Sequence, residues 1–431
     1  MDSIWTTDIK KPTFAPLAKD IKTDVLIIGG GMTGILCAYM LSRAGIKCVL
    51  CEADRICDGI TKNTTAKITL AHGLIYDKMI KRFGVGMAQD YFEWQSAALK
   101  KYRDICKKID CDYEEKSSYV YSISDRRKLE REAEAYLKIG AKATIVNTPE
   151  LPFRTAGAVR TDNQAQFHPL KFAYALSSGL PIYENTKVLE LTPYGALTNR
   201  GKIHAKRIVV ATHFPILNKH GSYFLKLYQH RSYVLALRGA PNVNGMYVDE
   251  NEKGLSFRNY NDILLLGGGS HRTGKKGGCW QELSDFAKKH YKGTEEICRF
   301  ATQDCMSLDS IPYIGQYSAH TKNLYVATGY NKWGMSSSMV AAMVLCDELQ
   351  GKKNSSAEIF SPSRSILRPQ TAVNAAESLI GLLTPTAPRC PHLGCALKYN
   401  KEEHSWDCPC HGSRFSKDGE LIDNPATDDK K

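Results

Sequence analysis

Apolar residues gather along this chain in short, bounded runs. Asp24-Val-Leu-Ile-Ile28 is followed at once by Gly29-Gly30-Gly31-Met32-Thr33-Gly34. An apolar run of that length, closed by glycines, predicts a strand buried on both faces, as in a parallel sheet. Ile35 to Ala44 reads as a helix ended by Gly45, and Lys47-Cys-Val-Leu-Cys51 as a second strand with Glu52 at its end. Strand, helix and strand in that order predict an α/β unit. Met87 to Lys107 is charged and helix-like. From about 221 to 300, strand-like runs such as Ser232-Tyr-Val-Leu-Ala-Leu237 alternate with glycine turns, which predicts a sheet. The polar Gly351 to Ser356 stretch reads as a linker. Thr371 to Leu383 reads as a short helix with apolar Ala372, Val373, Ala376, Leu379 and Ile380. The chain shows no internal repeat. Its longest apolar stretch is interrupted by glycine and is too short to span a membrane.

Composition changes this picture little. A chain of 431 residues predicts two or three domains with ample core. The 58 basic against 45 acidic residues are spread, as in Lys78 to Arg82 and Lys100 to Lys108, with no interleaved aromatics. Such runs are solvated helix faces, and nucleic acid is not expected as a partner. Residues 390–431 hold six basic and eight acidic groups, so the positive charge lies on the body, where it would favour an anionic substrate or an acidic redox partner. Ten of the fourteen cysteines are scattered through the body without a disulfide framework, the pattern of buried reduced thiols. No basic, apolar, small-residue leader opens the sequence, and a soluble cytoplasmic protein without a transmembrane segment is expected.

Candidate chemistry lies at both ends. Near the C-terminus, Cys390-Pro-His392 and Cys408-Pro-Cys410-His411 are separated by fifteen residues, a C-x-H and C-x-x-H frame. Cys390, His392, Cys408 and His411 can give two thiolates to one iron and two imidazoles to the other iron of a [2Fe–2S] centre. Two cysteines and two histidines also suit tetrahedral zinc. Zinc fingers place both cysteines in one knuckle and both histidines in another, whereas each knuckle here has one ligand pair of mixed type, which favours iron.

Near the N-terminus, the G-x-G-x-x-G of Gly29, Gly31 and Gly34 sits inside a complete strand–turn–helix–strand unit. Its glycines allow close approach of a pyrophosphate, and Glu52 is placed to hold ribose hydroxyls. A second candidate at Gly267-Gly268-Gly269 fails, because Arg272 occupies the third glycine position. One dinucleotide unit with an iron–sulfur tail predicts tightly held FAD rather than exchanging NAD.

The tail resembles the Rieske signature, down to its flanking cysteines and its Cys408-Pro-Cys-His-Gly-Ser413 run. The resemblance to quinol-oxidising Rieske proteins implies a disulfide between Cys395 and Cys410. In that class the serine at the Ser413 position, and a tyrosine where this chain has Phe415, donate hydrogen bonds to sulfur. The body resembles the D-amino-acid oxidase/glycine oxidase superfamily. The resemblance is carried by Gly59 to Thr69, Lys206 to Thr212, Asp309-Ser-Ile-Pro-Tyr-Ile-Gly315, Leu324 to Gly329 and Lys332-Trp-Gly-Met335. It implies that Thr65, Lys67, Thr212, Gly329, Trp333, Gly334 and Met335 join Gly29, Gly31, Gly34 and Glu52 around FAD. Lys67 is a candidate to stabilise reduced flavin and Tyr233 a candidate on a pocket-facing strand. His72 reads as structural, and Cys305 as a buried thiol at a position where some relatives attach flavin. Together the ends resemble bacterial FAD-dependent oxidoreductases that finish in a Rieske module.

The expected architecture is therefore α/β: a Rossmann-like FAD domain with a sheet-based substrate domain, plus a small C-terminal β Rieske module. FAD segments are expected at about 20–80, 150–220 and 301–365, and substrate or cap segments at about 85–140 and 221–300. A linker helix at 366–385 and the cluster module at 386–431 complete the chain. That module lacks the residues for the usual base of extra strands, so it should depend on its cluster and on docking against the body. The implied activity is dehydrogenation of a small amine, amino acid or hydroxy acid, with electrons passing singly between flavin and cluster and a ferredoxin-like one-electron carrier as partner. The alternative is a redox sensor or electron-transfer protein without substrate turnover.

Overall fold

The computed structural model describes residues 2–217, 221–352, 354–385 and 388–430. Strand β1 (Ile21–Ile28) pairs in parallel with β2 (Cys48–Cys51) on one side and with the Gly201–Val210 strand on the other. Helix α1 (Met32–Arg43) joins β1 to β2 and packs on the Gly334–Leu349 helix. Val25 to Ile28 are all buried, as a strand covered on both faces requires. Leu324–Thr328 and Tyr313–Gln316 extend the sheet beyond Gly201–Val210.

A second sheet of nine strands stands beside the first. Its order runs Glu295–Ser307, Leu227–Arg238, Ile263–Arg272, Ser256–Tyr260, Met246–Asp249, Glu114–Ser122, Gly157–Gln166 and Lys67–Ile68, with Thr144–Val146 paired to Gly157–Gln166. The Gly267-Gly268-Gly269 run lies inside one of these strands rather than in a nucleotide turn. Gly157–Gln166 and Lys67–Ile68 fall in stretches expected to build the FAD portion, yet both pair into this second sheet. Their partners are distant in sequence, and no local pattern encodes which sheet a strand joins.

The Leu227–Arg238 strand has two working faces, as alternation demands. Gln229, Arg231 and Tyr233 all bond the C-terminal module. Tyr228 and Ser232, from the other face, line the main cavity.

The C-terminal module is a four-stranded antiparallel sheet in sequence order, Lys398–Asn400, Ser405–Asp407, Arg414–Ser416 and Leu421–Asp423. Its core is small: Cys390, Cys395, Leu397, Cys408, Cys410, Phe415 and Ala426. The Pro369–Leu383 helix lies against it, with Gly381 so close that a Cβ there would come within 2.5 Å of the Cys410 sulfur. Docking supplies much of what the core lacks. Gln229 Nε2 donates to the His411 and Asn424 carbonyls (3.0 and 2.8 Å), and Gln303 Nε2 to the Gly412 carbonyl (2.9 Å). Arg272 donates to the carbonyls of Pro409 and Cys410. Glu403 is buried between Arg231 of the body and Arg414 of the module, and Arg414 also pairs with Asp407 and Asp423.

This ion network gives docking a pH dependence. Burial alone would raise the Glu403 carboxyl, but Arg231 and Arg414 outweigh it and bring the carboxyl down to about 2. A carboxylate depressed in the folded state binds fewer protons there than when unfolded, so its contribution is complete above its ordinary range and fades as pH falls toward 2. Module docking, followed by tryptophan fluorescence of Trp406, should weaken steadily below about pH 4.5. Glu403→Ala should cost about 3 kcal/mol at neutral pH, because it strands Arg231 beside a weaker partner. Equal stability of the variant and wild type at pH 7 in denaturant titration would contradict this.

Candidate functional site

The turn after β1 builds a phosphate-sized cradle. Gly29 has φ +107°, and a Cβ there would lie 2.6 Å from the Ala211 carbonyl oxygen. A Cβ at Gly34 would lie 1.9 Å from the Gly29 carbonyl oxygen, so Gly34 serves close packing of turn and helix. Gly31 differs: its nearest protein neighbour would be Thr61 Oγ1 at 3.4 Å, and its open side faces a cavity of about 1410 Å³. Glu52 Oε2 accepts from the Gly30 N–H at 2.6 Å and Oε1 from the Asp54 N–H at 3.0 Å. Burial holds the Glu52 carboxyl above its ordinary range against the pull of these donors. The donor set, the glycine cradle and the terminal carboxylate fit a dinucleotide.

That one cavity is lined by Gly29, Gly31, Glu52, Thr65, Lys67, Thr212, Tyr233, Trp333, Gly334 and Met335. Gly34 and Gly329 sit behind the lining. Gly329 takes the left-handed conformation (φ +73°) and packs on Leu227, Ser307 and Tyr313.

Lys67 is brought into the cavity wall by its pairing with Gln166. Burial, and then the Arg258 charge, lower its ammonium to about 7. Arg258 in turn pins the preceding loop by donating to the Thr65 and Ala66 carbonyls (2.8 and 2.9 Å). His72 stacks on Trp333 with centroids 4.9 Å apart and is bonded by Tyr91 and Ser336. Burial pushes it down to about 3, so its ring is neutral, and it also lines the cavity. The Cys305 thiol is buried against Thr328 Oγ1 at 3.5 Å rather than lining the cavity.

Tyr233 meets both the cavity and the C-terminal module. Its ring is fully buried between His271 and Trp280, and its hydroxyl donates to Glu403 of the C-terminal module at 2.9 Å. That bond makes the Tyr233 hydroxyl a docking contact, while the residue also lines the cavity.

Among the charged residues of the cavity wall, Lys332 and Asp304 went unassigned from sequence. Lys332 has φ +73°, and its Nζ donates to the Glu252 carbonyl (3.1 Å) and Ser270 Oγ (3.2 Å). Asp304 also lines the cavity; burial lifts its carboxyl to about 6 against the pull of Lys332. A cation and a carboxyl group in one partly apolar chamber can receive a small molecule bearing both charges.

In the C-terminal module the four expected ligands form an imidazole pair and a thiol pair. The His392 and His411 rings lie 4.9 Å apart at 83°. The Cys390 and Cys408 thiols adjoin each other, and backbone N–H groups of His392 and Leu393 point at Cys390 and those of Cys410 and His411 at Cys408. Among the described residues, His411 Nδ1 is buried without a hydrogen-bond partner, as an atom aimed at a metal would be. Cys395 and Cys410 form a disulfide with Cα atoms 6.7 Å apart. The sulfurs of Cys395, Cys408 and Cys410 also lie within 4.8 Å of one another, but the disulfide removes two of them as ligands. The remaining thiolate pair and imidazole pair fit a [2Fe–2S] centre.

Ser413 lies beside Cys390 and helps hold its thiol below the ordinary range, and its oxygen accepts from the Ala426 N–H at 3.0 Å. Phe415 is buried in the module core among the same cysteines and cannot donate. Hydrogen bonds to sulfur stabilise the reduced cluster and raise its potential. Ser413→Ala should lower the potential by on the order of 50 mV, the equivalent of one such bond. Phe415→Tyr should raise it. Protein-film voltammetry of the three forms decides, and no rise in Phe415→Tyr would count against this account.

The two sites adjoin. The Phe214 ring lies 6.3 Å from that of His392 and 6.5 Å from that of His411. Thr212 and His213, immediately before Phe214, line the cavity that holds the glycine cradle.

Comparison with known proteins agrees with this geometry. The family model for FAD dependent oxidoreductases matches residues 24–348, and that for the Rieske [2Fe-2S] domain matches residues 363–430. The Bacillus subtilis (strain 168) protein YhfW, provisionally named a Rieske 2Fe-2S iron-sulfur protein, is 34% identical over 491 residues, covering 99% of this chain and 96% of its own. That aligned length exceeds the 431 residues present here, so the relative carries stretches that this chain lacks. The gamma-glutamylputrescine oxidoreductase of Escherichia coli (strain K12) is 27% identical over 220 residues, 47% of this chain and 51% of that protein. Among solved structures, glycine oxidase from Geobacillus kaustophilus superposes with TM-score 0.67 at 18% identity, over 80% of this chain and 99% of that one. L-proline dehydrogenase from P. horikoshii superposes with TM-score 0.68 at 16% identity, over 81% and 98%. At those identities the likeness shows a shared fold. The Rieske match favours a [2Fe-2S] centre over zinc at the C-terminal site.

Proposed function

The chain belongs to the FAD dependent oxidoreductase family and carries a Rieske [2Fe-2S] domain, and from that premise we propose that it dehydrogenates a small amine or amino acid and passes the electrons singly between flavin and cluster. FAD supplies two-electron acceptance from a C–N or C–O bond, and the cluster supplies one-electron transfer. The observation that carries the proposal is the placement of Phe214: it touches both cluster histidines and follows directly on Thr212 and His213 of the cavity wall.

The chain's own residues then have definable tasks. Lys332 Nζ and the Asp304 carboxyl orient a substrate carrying complementary charges. His72 and Trp333 form a rigid wall. Lys67 Nζ, lowered to about 7 by burial and Arg258, can hold or release a proton near neutral pH. The glycine oxidase, the proline dehydrogenase and the gamma-glutamylputrescine oxidoreductase are named for amine or amino-acid substrates, which favours that class over hydroxy acids.

His392 is only half-buried and Leu393 beside it is exposed, so this edge of the cluster is where a ferredoxin-like carrier would dock. No helix among the described residues is long and apolar enough to cross a membrane. The ten body cysteines are free thiols, the state a cytoplasmic setting maintains.

An anaerobic panel of amines, amino acids and hydroxy acids, followed by loss of flavin absorbance, tests the proposal. Bleaching by an amine or amino acid is expected. A hydroxy acid as the sole reductant would move the substrate class, and bleaching by no compound would favour an electron-transfer protein without turnover.

A further inference from the structure

The cavity that begins at the glycine cradle is not closed by the oxidoreductase body alone. Leu421 to Asn424, Ala426 and Thr427 also line it, and all belong to the cluster module. This segment leaves the module's last strand, Leu421–Asp423, crosses to the body and returns. Both of its ends are fastened within the module. The Leu421 N–H donates to Asp429 Oδ1 at 2.8 Å, and the Lys430 N–H to the Gly419 carbonyl at 2.8 Å. Its middle is fastened as well, by the Ala426 N–H on Ser413 Oγ.

Besides the Gln229 Nε2 bond to the Asn424 carbonyl, the tip of the segment is tied to the body at two places along the cavity. Asn424 Nδ2 donates to the carbonyls of both Thr212 and Phe214. Thr212 directly follows Ala211, whose carbonyl is the close neighbour of Gly29, so Asn424 sits over the pyrophosphate end of the cradle. Lys187 Nζ donates to the Thr427 carbonyl. Lys187 follows Thr186, whose N–H donates to the Glu52 carbonyl at 2.9 Å, so Thr427 sits over the ribose end. The segment therefore runs along the cavity from one landmark of the nucleotide site to the other.

Resting on the FAD reading above, we propose that residues 421–427 of the cluster module form the outer wall of the dinucleotide channel and retain the pyrophosphate and ribose portion of FAD within it. The cluster module is then part of the flavin site as well as an electron carrier. A dinucleotide can leave only when Asn424 and Lys187 release their carbonyl partners. Reciprocally, bound FAD should keep the segment ordered, because a ligand that touches a segment in one state stabilises that state.

The test uses the full-length holoprotein and the rate at which FAD appears free in solution after dilution, read by recovery of flavin fluorescence. Asn424→Ala combined with Lys187→Met removes three hydrogen bonds that hold the segment down, and release should accelerate by about tenfold or more. The cluster's EPR signal, which depends on neither residue, should persist at wild-type intensity. Release within twofold of wild type would overturn the proposal. Should the double variant fail to fold, hydrogen exchange on the wild-type chain with and without FAD reads the same contact. Amides 421–427 should exchange more slowly when FAD is bound, and identical exchange in the two states would overturn the proposal. A wild-type protein that binds no FAD in either experiment would refute the flavin reading itself, whereas normal FAD content with unchanged release refutes only this wall.

Discussion

Replacing His411 with alanine should abolish the rhombic EPR signal of the cluster completely while FAD remains bound at normal stoichiometry. The imidazole is buried between Phe214 and Phe224, and the ring of His392 stands 4.9 Å away. Its Nδ1 has no hydrogen-bond partner among the described residues. Removing the ring would leave one iron with a single protein nitrogen. The His411 carbonyl, which receives Gln229 Nε2, is main-chain and survives the substitution, so docking is retained. Cys390→Ser and Cys408→Ser should behave alike. Cys395→Ser should instead keep the ligand set and lose only the disulfide, at a cost of roughly 3 kcal/mol for a loop of this length. Iron lost from Cys395→Ser as completely as from Cys390→Ser would show that the ligands are wrongly divided. Metal analysis with EPR on the same samples makes the comparison.

Gly31→Val should yield a folded protein without FAD. The structure separates this position from the other two glycines of the turn. A side chain at Gly29 or Gly34 would collide with main chain, so loss of FAD there would reflect a broken turn. At Gly31 the backbone is ordinary (φ −77°, ψ −175°) and, among the described residues, the only close neighbour is Thr61 Oγ1. A valine there fills space that belongs to the cavity, where phosphate oxygens need to approach the backbone. The expected result is complete loss of flavin absorbance with an unchanged far-UV spectrum and an intact cluster signal. Normal flavin content in this variant would remove the basis of the nucleotide assignment.

What could be read from sequence was whatever is encoded locally. The β1–turn–α1–β2 unit is contiguous, and its apolar run, glycine spacing and terminal Glu52 each carry their meaning within thirty residues. The Cys390 to His411 frame is similarly compact. What sequence could not supply is assembly. Gly157–Gln166 carries the pattern of a strand, but only its pairing with Glu114–Ser122 places it in the second sheet. Tyr233 lies on a strand whose Gln229 and Arg231 bond the cluster module and whose Tyr228 and Ser232 face the cavity; a bulge between Arg231 and Tyr233 breaks that alternation, and Tyr233 meets both. Lys332 was visible inside the Lys332-Trp-Gly-Met335 segment, but its left-handed backbone and its approach to Ser270 and Asp304 are tertiary facts. Asn424 and Lys187 are 237 positions apart by their own numbers, and nothing local marks either as part of a cofactor channel.

The central claim is that flavin and cluster exchange electrons within one molecule. It is tested most directly by photoreducing the flavin of the anaerobic, oxidised holoprotein with a sacrificial donor and following the cluster by EPR. Intramolecular transfer past Thr212, His213 and Phe214 predicts that the rhombic signal rises with a first-order rate independent of protein concentration, and that flavin-free Gly31→Val gives no signal under the same illumination. A fully reduced flavin beside a cluster that stays oxidised, or a rate that scales with protein concentration, would contradict the account.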